Sequence, residues 1–292
     1  MDRYNSKKSP VILLVGSYAL SLINFRGALL DRFKSLGYEV HVAAPNLNEH
    51  ADIVQALLLK DVIAHDIPLK RTGTSIFFDC ITLSALIILL IKIKPTHFLS
   101  YTIKPIIYGS LAAWIARVPN RFAMITGVGY AFQQSTGKYS LLFSLVKKLY
   151  KLALSVNNKV FFQNPDDEML FDSYGLIDNV ETSQINGSGV DIDHFGVINL
   201  PENINFLMIG RLLSDKGVRE YVEAAKVVNK KFPATVFKLV GWIDDNPNAI
   251  TAEELQSWIA SGVIKYLGRL DDVRPAIASS TVFVLPSYRE GT

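Results

Sequence analysis

The sequence of 292 residues has little of several features that define whole classes of proteins. Its one cysteine, Cys80, excludes an internal disulfide and fits a reducing compartment, where we expect a small buried hydrophobe and not a catalytic group. The longest apolar run, residues 80–91, is shorter than the roughly 20 residues that cross a bilayer, and it predicts a buried helix packed on a sheet. The five histidines are scattered, without an HExxH motif or a cysteine cluster, so we expect no metal site.

Acidic residues are absent from Cys80 to Pro165, a stretch that contains ten lysines and arginines. The net charge of the whole chain is only +3, so the rest of the chain is acidic. A region of this kind suits an anionic partner: nucleic acid, an anionic membrane or a phosphorylated lipid. The alternative is a solvated basic face that binds nothing.

Short apolar runs alternate with amphipathic segments, which predicts an α/β protein with mainly parallel sheets. The basic leader before Val11–Gly16 is compatible with a signal peptide, but this short β-branched run is more typical of a first buried strand. The alternation restarts after a loop rich in Asn, Gly and Asp, so we predict two Rossmann-like domains, residues 1–190 and 191–292, with a hinge near residues 186–201. The predicted strands are Val11–Gly16, Glu39–Ala43, His97–Ser100, Arg121–Ile125 and Val160–Phe162, then Ile204–Gly210, Thr235–Gly241, Lys265–Leu267 and Thr281–Leu285, the last of them buried.

The second predicted domain opens with two cations at the start of a helix. In "IGRLLSDKGVREYVEAA", Arg211 and Lys216 lie where the helix dipole already supplies positive charge, an arrangement that an arriving diphosphate would make favourable. Ser214 and Asp215 are candidate helix caps. An exposed loop with incidental cations is the alternative. The loop after the first strand has no GxGxxG motif, which argues against a dinucleotide-dependent oxidoreductase.

Eight segments together carry a resemblance to a known family. They are "NFRGALL", "YTIKPIIYGSLAA", "ITGVGYAF", "VFFQNPDD", "INGSGVDIDHF", "IGRLLSDKG", "YLGRLDDV" and "LPSYREGT". In this order the chain resembles the retaining glycosyltransferases of family 4, which have the GT-B fold. Within them it is similar to the bacterial subgroup that builds polyprenyl-diphosphate-linked glycans such as O-antigen and capsule.

The resemblance implies a set of functional residues. Arg211 and Lys216 would hold the donor diphosphate, and Glu290 would be the first glutamate of the E-x7-E motif. The remaining donor residues would be Gly210, Gly241, Arg269, Leu270, Val273 and Gly291. The acceptor side, in the first domain, would include Gly16, Asn24, Arg26, Lys104, Thr126 and Gly127. The cations and a helix dipole would replace a metal, so no cofactor is expected.

The chain departs from the family at two places. Many relatives carry a histidine in the loop that reads "SYTIKP" here, and His97 lies too deep in its strand to replace it. The second glutamate of the E-x7-E motif would fall beyond Thr292. We therefore expect a carboxyl-terminally incomplete chain that is inactive in this form and has a poorly stable second domain.

The function implied is transfer of a hexose or N-acetylhexosamine from a nucleotide sugar, expected to be UDP-linked, to a lipid-diphosphate-linked saccharide. The protein is expected in the cytoplasm, peripherally bound to the inner face of the cytoplasmic membrane, with no nucleic-acid partner. The helix predicted at Leu141–Leu154 could dock on anionic lipid through lysines 147, 148 and 151, or pack on the core with a solvated lysine face. Two alternatives are a nucleotide-sugar epimerase of the same fold and a non-catalytic partner of a glycan assembly complex.

Overall fold

A computed structural model of the chain describes residues 9–71, 75–128, 140–243, 248–288 and 290. The chain divides into two compact units, one ending at Gly189 and the other comprising Val190–Glu290. This division falls inside the segment predicted as a hinge. We call them unit 1 and unit 2 and describe each by itself.

Unit 1 contains a parallel sheet of seven strands in the order β3-β2-β1-β4-β5-β6-β7. The strands are β1 Val11–Val15, β2 Glu39–Ala44, β3 Ile63–Asp66, β4 His97–Tyr101, β5 Asn120–Ile125, β6 Lys159–Phe162 and β7 Glu181–Gln184. Five of them were predicted from the sequence. β3 and β7 were missed because they are four-residue edge strands whose residues are all partly exposed, so they have no buried apolar run.

Helices cover both faces of this sheet, as right-handed crossovers between parallel strands require. They are α1 Ser21–Asn24, α2 Gly27–Ser35, α3 Ala51–Leu59, α4 Ile76–Ile93, α5 Ser110–Ile115, α6 Ser140–Ser155 and α7 Pro165–Ser173, with a π-helical turn at Pro105–Gly109 before α5. The side chains of α1, α2 and α3 pack in one core with Ile12 and Leu14 of β1. Those of α4 and α5 pack in another core with Leu13 and Val15, whose side chains point to the opposite face.

Helix α4 corrects two expectations drawn from its sequence. It is 18 residues long, and by length and composition it could cross a membrane, although in unit 1 it lies on the sheet through Thr82, Leu86 and Leu90. Only 22% of its residues are buried, so the prediction of a buried helix holds for one face alone. Cys80 is exposed on this helix, which makes the expectation of a buried cysteine wrong.

Unit 2 contains a parallel sheet of four strands in the order β10-β9-β8-β11. The elements are β8 Asn205–Ile209, α8 Val218–Lys231, β9 Val236–Val240, α9 Ala252–Ala260, β10 Lys265–Tyr266, α10 Arg274–Ala278 and β11 Val282–Phe283. Helix α9 begins with a capping box in which Thr251 and Glu254 each accept a hydrogen bond from the other's backbone N–H. The strand expected at residues 281–285 is present as β11, but its predicted burial is wrong: in the described part of the chain β11 ends the sheet beside β8, and both of its residues are exposed.

Two stacked histidines on β2 and β3 predict an acid-sensitive step in stability. Nδ1 of His41 lies 2.8 Å from Nε2 of His65, and Nε2 of His41 lies 2.8 Å from a carboxylate oxygen of Glu39. Burial, followed by the positive charges of His41 and Lys92, lowers the pKa of His65 from 6.5 to about 4. As the pH falls, His65 is therefore protonated in the unfolded chain before it is protonated in the folded chain. The free energy of unfolding of unit 1 should decrease as the pH decreases from 6.5 to about 4.

After allowance for partial exposure, we expect this loss to be about 1 to 2 kcal/mol. Urea denaturation across that pH range should show a flatter dependence for His65→Gln than for the control His194→Gln, an exposed histidine of unit 2. Equal slopes for the two variants would contradict the assignment.

Candidate active site

In unit 2, the predicted donor residues follow the carboxyl ends of the parallel strands, where open α/β sheets bind their ligands. Gly210 follows β8 and Gly241 follows β9, and Arg269 and Leu270 come shortly after β10, next to Gly268, which was not predicted. The N–H of Gly210 donates to Val240 O, and the N–H of Gly241 donates to Gly268 O. A Cβ on Gly241 would lie 1.9 Å from Gly210 O. The two backbone segments therefore lie too close together for any residue other than glycine at position 241.

Lys216 and Glu290 form an ion pair at this edge. The Lys216 ammonium donates to both carboxylate oxygens of Glu290, each at 2.7 Å, and both side chains are largely shielded from solvent. Burial would raise the pKa of Glu290, but the hydrogen bond from Lys216 and the charges of Lys216 and Arg211 outweigh it and lower that pKa. The structure therefore brings together all three residues that the resemblance implied for catalysis.

Helix α8 begins at this cluster, but its cap is not the predicted one. Ser214–Lys216 form a 3-10 turn, and the N-cap is Gly217, in the left-handed conformation with φ of 71°. The Ser214 hydroxyl donates to Asn248 O and accepts from Arg219, so it is engaged elsewhere. The prediction of Ser214 or Asp215 as the cap is therefore wrong. A Cβ on Gly217 would lie 2.2 Å from Pro286 O, which ties the start of α8 to the segment leading to Glu290.

The other described donor residues that were predicted lie between β10 and α10. The Arg269 guanidinium lies over the Trp242 ring at 4.9 Å, and Trp242 directly follows Gly241. Leu270 and Val273 pack against the small core formed by Leu207, Val240 and Ala276. Their side chains thus support the loop instead of lining an open surface, while Arg269 and Trp242 present a flat cationic and aromatic pair. Gly291 lies outside the described residues.

In unit 1, a cavity of about 750 Å³ opens at the carboxyl ends of β1, β2 and β3. Its wall includes Ser17, Tyr18, Asn46, Asn48, Lys70 and Arg71. The Arg71 guanidinium lies 5.6 Å from the Tyr18 ring centre, and the Lys70 ammonium lies 4.7 Å from that of Phe78, at the start of α4. The cavity is therefore lined by both polar and apolar groups, and its charged residues are the acid Asp66 and the two cations held over aromatic rings.

None of the six predicted acceptor residues is among those that line this cavity. Gly16 directly precedes Ser17, and a Cβ there would lie 2.3 Å from the Tyr101 hydroxyl oxygen, so glycine is required. Asn24 is exposed at the end of α1. Thr126 and Gly127 follow β5, and Gly127 has φ of 134°.

Arg26 is 4% exposed and is held inside unit 1. Its guanidinium lies over the Tyr101 ring at 4.7 Å, and Nη1 donates to Phe25 O and to the Ser188 hydroxyl. Burial lowers the pKa of this guanidinium. Arg26 thus fastens the segment before the unit boundary to α1 and β4.

Lys104 forms an ion pair with Asp79, a residue that the sequence analysis did not single out. Its ammonium lies 2.7 Å from a carboxylate oxygen of Asp79, on α4, and both side chains are mostly buried. Asp79 was the last acid before the acid-free stretch, which was the available signal for this pair. His97 lies at the start of β4, at the opposite end of the strand from this edge, so it does not supply the missing histidine. Within the described ranges, no group of three or more His, Cys, Asp or Glu residues could hold a metal ion.

Helix α6 contains the lysines predicted to bind lipid, and two of them have partners within unit 1. Lys147 lies over the Tyr174 ring at 4.6 Å, and Lys151 lies 3.0 Å from a carboxylate oxygen of Asp178. Leu145 and Leu152, expected to face the core in the alternative interpretation, are about half exposed. The docking role of α6 stays a prediction.

The two units, each with a parallel sheet packed against helices, have the GT-B fold. Among solved structures, the HepE protein of Anabaena in complex with UDP and glucose matches 96% of this chain and 75% of its own, with a TM-score of 0.67 and 14% identity. At that identity the likeness shows the fold alone.

Family models match both units. A model described as glycosyl transferase 4-like matches residues 12–164, and one described as glycosyl transferases group 1 matches residues 203–292. The chain belongs to the glycosyl transferase 4-like family, and the resemblance found in the sequence is confirmed.

Two curated relatives have known substrates. The first is the N,N'-diacetylbacillosaminyl-diphospho-undecaprenol alpha-1,3-N-acetylgalactosaminyltransferase of Campylobacter jejuni, 29% identical over 93% of this chain and 73% of the relative. The second is the UDP-Gal:alpha-D-GlcNAc-diphosphoundecaprenol alpha-1,3-galactosyltransferase of Escherichia coli, 29% identical over 79% of this chain and 62% of the relative.

Proposed function

We propose that this glycosyltransferase moves a hexose or N-acetylhexosamine from a UDP-sugar to a polyprenyl-diphosphate-linked saccharide, with retention of the anomeric configuration. The observation that carries the donor half is the cluster of Arg211, Lys216 and Glu290 beside the glycine contact of unit 2. Support for the substrates comes from both relatives, whose names specify sugars on diphospho-undecaprenol, and from HepE, solved with UDP and glucose.

In this proposal the donor diphosphate binds at the start of α8. Lys216 would exchange one anion, the Glu290 carboxylate, for another, the diphosphate, while Arg211 offers a planar fork to phosphate oxygens. Both cations would then stabilise the negative charge that develops on the departing UDP, an electrostatic role that requires no metal. Released from Lys216, Glu290 would face the transferred sugar as a hydrogen-bond acceptor.

The acceptor half of the proposal assigns the cavity of unit 1 to the acceptor. Lys70 and Arg71 can meet its diphosphate, and the amides and hydroxyls at the ends of β1 and β2 can meet its sugar. Because a polyprenyl chain resides in a bilayer, the protein would act while peripherally bound to the inner face of the cytoplasmic membrane. No nucleic acid takes part.

The donor half is tested by calorimetry of the purified chain with UDP, ADP and GDP, with and without EDTA. We expect UDP to bind most tightly and its affinity to be unchanged by EDTA. No preference for UDP would overturn the donor assignment. Weaker binding in EDTA that Mg²⁺ restores would overturn the proposal of a metal-free site.

The acceptor half is tested by transfer from radiolabelled UDP-sugars to a short-chain polyprenyl-diphosphate sugar and to the same sugar without diphosphate. We expect products only with the diphosphate, with an unchanged anomeric configuration by NMR. Equal transfer to both acceptors would contradict the proposal.

A further inference from the structure

Helix α4 has an outward face that is apolar along its whole length. The exposed positions recur at helical spacing and contain no charge before Lys92: Phe77, Cys80, Ile81, Ser84, Ile88 and Ile91. Phe77 is 79% exposed and Ile88 is 67% exposed. Surface helices of globular proteins normally place charged or polar residues on this side, so the stripe calls for an apolar partner.

The charges exposed at the two ends of α4 are positive. Lys70 lies over the Phe78 ring at one end of α4, and Lys92 and Lys94 are exposed at the other. The single acid of the helix, Asp79, is turned inward onto Lys104 and is mostly buried. Helix α5 packs beside α4 through a shared core and adds an exposed tryptophan, Trp114. Tryptophan is the residue that prefers the interface between membrane and water.

We propose that the outward face of α4 docks unit 1 on an anionic lipid bilayer, with the helix lying in the plane of the headgroups. A helix of 18 residues is about 27 Å long, so the stripe offers five turns of apolar contact, and the lysines at its ends meet anionic headgroups. The purpose of this docking rests on the proposed function. Phe78, at the start of α4, lines the cavity assigned to the acceptor, so docking through α4 brings that cavity to the lipid surface.

The single cysteine of the chain provides a direct reporter, because Cys80 lies exposed on the stripe. The chain is labelled at Cys80 with the environment-sensitive dye NBD and mixed with vesicles that contain phosphatidylglycerol. We expect a blue shift of NBD emission and quenching by doxyl-labelled lipid. Vesicle binding with an unshifted emission would overturn the proposal, because another surface, such as α6, would then make the contact.

A matched pair of variants tests the same face without a label. Phe77→Glu with Ile88→Glu places two charges on the stripe, and Leu58→Glu with Leu59→Glu places two on α3, whose side chains pack on the opposite face of the sheet and where both leucines are also exposed. In co-sedimentation, we expect the α4 variant to bind the vesicles about 10-fold more weakly than the α3 variant, with unchanged melting temperature. Equal binding by the two variants would overturn the proposal.

Two further readouts separate the other possible outcomes. A change in oligomeric state of the α4 variant by light scattering, with vesicle binding unchanged, would show that a second copy covers the stripe and would overturn the proposal. UDP affinity, measured on both variants, should equal that of the parent chain. If the parent chain does not bind UDP, the proposed donor site is wrong, but the measured binding of α4 to vesicles is unaffected.

Discussion

Replacing Gly241 by alanine is expected to destabilise unit 2 by about 3 to 5 kcal/mol. The new Cβ would lie 1.9 Å from Gly210 O and 3.1 Å from Leu212 Cδ2, and the backbone has φ of 154°, where L side chains are strained. Since Gly210 O is backbone at the end of a central strand, it cannot move without disturbing the β8–β9 pairing. Urea denaturation followed by tryptophan fluorescence measures the loss, because Trp242 and Trp258 lie in unit 2.

The matched control is Gly262→Ala, which has φ of 68° and no atom near the position of the new Cβ. This variant has the strain of a positive φ but no steric clash of the new Cβ. It should lower the free energy of unfolding by about 1 kcal/mol. If both variants lose equal stability, the close approach of Gly210 and Gly241 is not the constraint that we infer. Gly241→Ala should also abolish measurable UDP binding, whereas Gly262→Ala should not.

Replacing Lys216 by alanine is expected to weaken UDP binding by about 10- to 100-fold, because charge-assisted hydrogen bonds to phosphate contribute about 1.5 to 3 kcal/mol. The variant also leaves the Glu290 carboxylate without its ammonium partner, facing an arriving diphosphate. Arg211→Ala should weaken binding comparably. Calorimetry with UDP measures both changes, and unchanged affinity in both variants would contradict the diphosphate site.

Replacing Glu290 should change UDP affinity in the direction opposite to replacing Lys216, which distinguishes a specific site from a general loss of structure. Because its carboxylate competes with the diphosphate for Lys216, Glu290→Gln should bind UDP at least as tightly as the parent chain. Lys226→Ala is a suitable control for the lysine, since Lys226 lies on α8, the helix that follows Lys216, and pairs with Glu223 at the surface. Weaker UDP binding in the Glu290 variant would instead make that carboxylate part of the UDP site.

The cations of the donor edge are therefore balanced by the carboxylate of Glu290. A cluster of cations at a helix start is unfavourable by itself, and the ion pair with Glu290 removes part of that cost until a diphosphate arrives. The same reasoning explains why Lys104 is paired with Asp79 in unit 1. Lys70 and Arg71 lie instead over aromatic rings at the cavity, which is why we assign the acceptor diphosphate to them.

The sequence by itself determined the α/β class, most of the strands and the donor cluster. Those inferences rest on local periodicity and on spacing along the chain, and parallel strands bring the residues that follow them to one edge whatever the details of packing. Arg211 and Lys216 could be assigned in this way because they lie between the end of a strand and the start of a helix, whereas Gly210 and Glu290 were implied by the family resemblance. The family resemblance added their roles.

Only the tertiary structure decided which side chains are paired and which surfaces are left open. It buried Arg26 against Tyr101, paired Lys104 with Asp79 and made Gly217 the cap of α8, all through residues distant in the sequence or through backbone geometry. It also exposed one face of α4, which an apolar run could not reveal, because hydrophobic residues on a sheet-packed helix and on a lipid-facing helix follow the same pattern. Burial depends on what packs against each face, and that is settled only when the chain is folded.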